Sequence, residues 1–277
     1  MYSAIQPGLN SVSNTELIQY RELGVAEPLS RYVDKLWYLD ASRLGRRIIP
    51  YHVVADGCAD IYFDCGGQAA PMLTYSASTP LTIGVPNVRI LGARLLPGTV
   101  SLLTHHVHLR DLAGKSVPLL ELLGERSPLI RFSKSLPSIR GIENTLSELG
   151  ASLERSILAS HGSGEPLLAS SFSTLIASSL DMSRPHEALY QVRQVGERQG
   201  RRLLIEQTGL PPKRLARVVR FQRALAAIIN SPQRTLADIA MDAGYFDQPH
   251  FTREANLLSG MTASQIKSLQ VRNIQAK

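Results

Sequence analysis

Two cysteines in 277 residues leave no room for a fold stapled by disulfides. Cys58 and Cys65 lie seven apart in one extended stretch, where strand alternation sends them to opposite faces, so they cannot pair with each other. Neither has an identifiable base to activate it, and both are read as small buried hydrophobes. Long apolar runs are missing too. Nothing approaches the roughly 18 residues that a membrane-crossing helix needs, and the opening MYSAIQPGLNS lacks the basic-then-apolar pattern of a secretion signal. The expectation is a soluble cytoplasmic protein with no membrane partner. Metal-ligand patterns are equally thin. His105-His106-Val107-His108 with Asp111 contains an H-x-H, but it falls at the end of a helical pattern that starts at Pro97, and no carboxylate-rich motif completes a site. These are read as turn histidines, with no metal and no cofactor expected.

Acidic residues are scarce in one region only. From Met1 to Arg184 there are 16 Lys and Arg against 16 Asp and Glu, whereas from Pro185 to Lys277 the count is 14 against 7, so the whole net charge of +7 sits in the last third. Concentrated positive charge on a helical segment is the usual footprint of a protein that meets a polyanion. An enzyme acting on small metabolites gains nothing from it.

What is present divides along the chain. Between residues 30 and 95, short runs rich in β-branched and aromatic residues (32–39, 48–54, 59–63, 72–75, 81–83 and 88–95) alternate with turn pairs such as Asp56-Gly57, Gly66-Gly67 and Pro86-Asn87. From Pro97 the period turns helical, with helices expected near 97–104, 118–124, 140–158 and 166–181. The expected fold is therefore an α+β N-terminal domain, a small β-barrel or sandwich plus helices, followed by an all-α domain. The boundaries are residues 1–165 for the first domain, 166–184 for an interdomain helix, and 185–277 for the second.

The second domain is built around a rod. Pro211-Pro212 opens KRLARVVRFQRALAAIIN, about 18 residues at about 1.5 Å each, or roughly 27 Å. After it, Thr235-Leu-Ala-Asp238 is a capping box, Gly244 suits a left-handed helix stop, and Asp247 caps a further helix with Pro249 in its first turn. That is a helix-turn-helix by mechanics alone. On the second helix Phe251, Ala255 and Leu258 form an apolar stripe, while Pro249, Arg253 and Asn256 point the other way and His250 and Thr252 lie on the flanks. A fainter copy precedes the rod: Glu187–Val195, Gly196 as cap, then Glu197–Gln207, with Gly200, Leu203 and Leu204 inward, Arg198 and Arg202 outward and Arg201 on the flank.

The segment TLADIAMDAGYFDQPHFTREANLLSGMTASQ resembles the second helix-turn-helix of the AraC/XylS family of bacterial transcriptional regulators, and with the rod and the fainter unit the resemblance covers about 90 residues. RYVDKLWYLD, ADGCADIYFDCGG and RILGARLLPGTV are similar to recurring pieces of a sensing domain found on some members. The resemblance implies two helix-turn-helix units joined by a long linker helix, with two reading helices in successive major grooves about 34 Å apart. Gln248 is placed against adenine, Arg253 against guanine, His250 on a purine edge, and Thr252 on a phosphate or thymine methyl, with Arg198, Arg201 and Arg202 on the first head. Lys213, Arg214, Arg217 and Arg220 of the rod are read as solvated or phosphate-touching. The implied partners are double-stranded promoter DNA, RNA polymerase for an activator, and a small effector or a second copy of the chain for the N-terminal domain. Departures from the pattern are Ala263 where proline closes the motif, Ile266-Lys267 where an aromatic-Arg pair is common, Tyr190 where a small residue lets the helices approach, and Gly200 where a core leucine is usual.

The other class open to this sequence is a β-domain enzyme carrying a nucleic-acid-targeting helical tail. It requires a catalytic constellation in residues 1–160, and none is found. Trp37 and Tyr38 are read as core residues, with the lining of an effector pocket as the functional alternative.

Overall fold

The structure, a computed structural model, describes residues 6, 18–75, 78–104, 107–138, 140–160 and 196–268. The helix expected at 166–181, the first helix of the fainter unit with Tyr190, and His105 and His106 lie outside the described residues.

Eight strands form the β part: β1 (Gln19–Gly24), β2 (Val33–Asp40), β3 (Ile49–Val53), β4 (Ala59–Asp64), β5 (Met72–Tyr75), β6 (Leu81–Val85), β7 (Arg89–Leu95) and β8 (Ser116–Pro118). Six of them make an open antiparallel sheet in the order β1-β2-β7-β4-β5-β8, and β3 pairs with β6 as a separate ribbon. The six expected strands are all present. β1 and β8 were not anticipated, because QYRELG is an almost wholly exposed edge strand with no apolar alternation and SVP is three residues long.

Alternation along the strands gives the sheet two different faces. Leu36 and Tyr38 of β2, Ile61 and Phe63 of β4, Leu73 and Tyr75 of β5, and Leu91, Ala93 and Leu95 of β7 share one large core. Helices cover that face: α1 (Thr99–Leu103), α2 (Leu109–Leu112), α3 (Leu119–Leu123), α4 (Pro128–Ser135) and α5 (Ile142–Ser160). On α5, Leu146, Leu149, Leu153 and Ile157 recur at helical spacing and are fully buried, which lays the helix across β2 and against α4. The opposite face carries Trp37, Leu39, Asp60, Tyr62, Ile90 and Arg94 and meets the β3–β6 ribbon across a cavity.

The last third comprises α6 (Glu197–Thr208), α7 (Pro212–Asn230), α8 (Leu236–Asp242) and α9 (Gln248–Ser259). The expected α+β half and helical third are thus both present, and α7 is the long linker helix. Leu204, Leu210, Leu215 and Val219 belong to the N-terminal core, while Val54 and Ala55 belong to the core of α7, α8 and α9. Gly209 shows why the join is tight. Its φ of +62° is left-handed, and a Cβ there would lie 2.9 Å from the backbone nitrogen of Arg110, so glycine is required twice over.

Candidate nucleic-acid interface and its coupling to the β domain

The second helix-turn-helix is set by its caps. The Thr235 hydroxyl accepts the amide of Asp238 at 3.1 Å and donates to the Asp238 carboxylate at 2.6 Å, closing the box that starts α8. Gly244 turns the chain at φ +86°, and the Asp247 carboxylate accepts the amide of His250 at 2.7 Å, starting α9 with Pro249 in its first turn. Phe251, Ala255 and Leu258 are buried against α7 and α8, as the stripe predicts. Gln248 and Arg253 are exposed and Thr252 is half-buried, whereas the half-buried His250 sets its ring edge-on to Tyr245 of that core at 5.3 Å.

The buried side of α9 holds one charge that sequence reading left out. Glu254 is almost wholly buried; it accepts from Arg217 Nε at 2.6 Å and from Arg220 at 2.9 Å, and Arg220 also lies 4.6 Å over the ring of Tyr245. Burial pushes the Glu254 carboxyl up, but the two guanidiniums outweigh it and hold the group below its ordinary value. Arg217 and Arg220 therefore brace the reading helix against the rod while staying partly exposed, a structural role that their reading as solvated or phosphate-touching side chains did not include; Lys213 and Arg214 are exposed. Helical spacing places both arginines on the rod but does not say which acid 34 to 37 residues downstream will meet them. Phe246 was also missed. It is 85% exposed in the turn directly before Asp247, and a large apolar side chain so open beside a reading helix has no packing role.

The first head is supported differently. Arg198, Arg201 and Arg202 of α6 are exposed, with Arg202 in an open pair with Glu206 at 3.4 Å. Its buried side, Gly200, Leu204 and Thr208, faces α1 and α2 of the N-terminal domain as well as the rod. The Thr208 carbonyl accepts from the Tyr75 hydroxyl of β5. Ala263 and Ile266, the departures at the end of the second unit, are both fully buried in the second core.

A short loop after β3 clasps the second unit. The amide of Ala55 donates to the Leu258 carbonyl in the last turn of α9 at 2.8 Å, and Gln222 Nε2 of the rod donates to the Ala55 carbonyl at 3.0 Å. Gln6 holds the loop from behind, donating to the Val54 carbonyl at 3.1 Å and to Asp56 at 2.7 Å. Asp56 is buried beside Arg94 at 3.8 Å; burial raises its carboxyl to about 7 despite that arginine.

Trp37 and Tyr38 separate as neighbours on a strand must. Tyr38 faces the helix-covered core, while Trp37 lines the cavity under the ribbon, which has a volume of about 330 Å³. Among the described residues no cluster of three His, Cys, Asp or Glu side chains is placed to hold a metal, and no helix is long and apolar enough to cross a membrane.

Helices set by caps on a shared rod, with one polar face held outward, define a helix-turn-helix DNA-binding protein. Residues 191–268 match the family described as helix-turn-helix domain, and residues 22–118 match a domain of unknown function, DUF6597. The matched helix-turn-helix domain is of the AraC type, which indicates a DNA-binding regulator. No curated protein matches the chain. Among solved structures, ToxT from Vibrio cholerae O395 aligns over 92% of this chain and 99% of its own at 9% identity and a TM-score of 0.42. ToxT from Vibrio cholerae strain SCE256, in an unsaturated fatty acid bound form, aligns over 93% and 97% at 10% identity and a TM-score of 0.42. The alternative of an enzyme with a targeting tail finds no support in these matches.

Proposed function

We propose that the chain is a cytoplasmic, sequence-specific transcription regulator that reads bases mainly with α9. In this reading Gln248 pairs with an adenine, Arg253 with a guanine and His250 with a purine edge, Thr252 meets a phosphate or thymine methyl, and Phe246 adds an apolar contact at the helix N-terminus. Arg198, Arg201 and Arg202 of α6 supply a second, more phosphate-directed set of contacts. The N-terminal domain, residues 1–165, is the sensor, joined through 166–184 to the DNA-binding domain at 185–277, and its cavity holds an effector. The observation that carries the reading is the locked orientation of α9: Glu254 and the apolar stripe fix one side to the rod, which leaves the Gln248 and Arg253 side available.

Binding assays on a selected operator and on a set of single-base variants test it. Arg253→Ala is expected to lose about 1–3 kcal/mol of specific binding and to relax preference at one position, with non-specific affinity little changed. Arg202→Ala is expected to weaken all sequences alike and flatten the salt dependence. A uniform loss in Arg253→Ala overturns its assignment to a base.

A further inference from the structure

The cavity between the outer sheet face and the β3–β6 ribbon has the size of a small-molecule site and mostly apolar walls. Three rings line it. Trp37 lies between Tyr20 and Tyr62, with ring centroids 6.4 Å and 6.5 Å away. The indole occupies the space that a side chain at position 92 would need: a Cβ on Gly92 would lie 2.5 Å from the Trp37 ring and 2.5 Å from the Ile61 carbonyl. Glycine at 92 is thus what lays an aromatic surface along the cavity wall.

The charged lining is small and unequal. Among the described lining residues, Asp60, Asp64 and Arg94 carry charge, two negative against one positive. Arg94 is already countered by Asp60 at 3.5 Å, Asp56 at 3.8 Å and Glu22 at 3.9 Å. Its side chain is 3% exposed, whereas that of Asp60 is 18% exposed, so the more open member of the pair is the carboxylate. Trp37 Nε1 donates to Asp60 at 2.9 Å and holds that carboxylate beside the rings. Burial raises the Asp60 carboxyl although Arg94 pulls it down. A carboxylate entering here would meet Asp60 and Asp64, with Arg94 already shared among three carboxylates.

We propose that this cavity binds an apolar organic cation, a protonated or quaternary amine on a hydrophobic body, with the ammonium over the Trp37, Tyr20 and Tyr62 rings and against Asp60. The ring quadrupoles and the carboxylate attract the same charge, and the desolvated setting strengthens both. The inference rests on the reading of the N-terminal domain as a sensor and adds a route to its output. Val53 of β3 lines the cavity, and the next two residues, Val54 and Ala55, form the clasp on α7 and α9. Arg94 joins the same two places from the other side, lying between Asp60 and Asp56. A ligand seated here bears on the loop that holds the last turn of the reading helix.

Trp37 is the single tryptophan of the chain, so its fluorescence reports occupancy directly. The full-length protein is titrated with trimethyl(4-phenylbutyl)ammonium, with 5-phenylpentanoate and with 5-phenylpentanol. The ammonium is expected to bind on the order of tenfold more tightly than the carboxylate. Asp60→Asn should erase that preference, and Tyr62→Leu, which keeps the wall apolar, should weaken the ammonium while sparing the alcohol. Equal or tighter binding of the carboxylate, or failure of all three probes to perturb Trp37, overturns the proposal. Operator affinity is measured with each probe in parallel. If the ammonium binds but DNA affinity does not change, the ligand class stands and the sensor reading falls; if only the carboxylate binds and changes DNA affinity, the reverse holds.

Discussion

Helix α9 of the second head stands on a core drawn almost wholly from the last third of the chain, with Val54 and Ala55 its only β-domain members among the described residues. Helix α6 of the first head buries Leu204 among residues of the N-terminal domain, and the segment after it follows with Leu210 and Leu215. The two heads share one rod but differ in what holds them. The second head draws most of its core from its own third of the chain and takes one clasp from the β domain, whereas the first head leans on the β domain for its core. In the proposed reading, relative placement of the heads on DNA depends on how the N-terminal domain holds α6 and on whether the clasp holds α9.

The sharpest way to break this comparison is to remove the β domain. In an isolated 185–277 fragment, Leu204, Leu210 and Leu215 lose their partners, each of which when fully buried is worth about 1.5–3 kcal/mol. Hydrogen exchange is expected to show amides of 197–208 unprotected in the fragment and those of 236–259 still protected, with low-salt DNA binding retained through the second head alone. Equal protection in both segments would mean that the first head also supports itself.

Glu254 sharpens the comparison from the other side. Glu254→Gln removes the charge that Arg217 and Arg220 share, and because both arginines keep partial access to water the expected cost is about 1–3 kcal/mol, read by chemical denaturation. Operator binding should fall while exchange in 197–208 stays as in the parent. The pH dependence follows from the lowered carboxyl: its contribution is present above the ordinary value of 4.5 and is lost as pH falls through the lower folded value.

Asp56 should show the opposite sign. Its folded carboxyl is raised to about 7 from 3.8, so its stabilising contribution is complete below the lower value and is lost as pH rises through the upper one. Asp56→Asn, which mimics the protonated acid, is expected to flatten the thermal stability profile across that interval and to leave the α9 caps unaffected. A variant whose stability still declines there would place the titrating group elsewhere.

Sequence alone determined the parts whose causes are local. Six strands, the rod, and the Thr235, Gly244 and Asp247 caps follow from side-chain period and from residues that satisfy helix ends within three positions, and those signals need no knowledge of distant partners. The outward side of α9 followed from the same period. The tertiary structure decided what depends on residues far apart in the chain. Glu254 meeting Arg217 and Arg220, Gly92 yielding its space to Trp37, and Ala55 bonding the end of α9 all join segments 34 to 203 residues apart or lying on different strands, so their pairing comes from packing of whole faces. That is also why sequence reads Arg217 and Arg220 as solvated or phosphate-touching: on a helical wheel a charged position looks the same whether it meets water, a phosphate or a buried carboxylate, and only the docking of α9 on α7 shows the last.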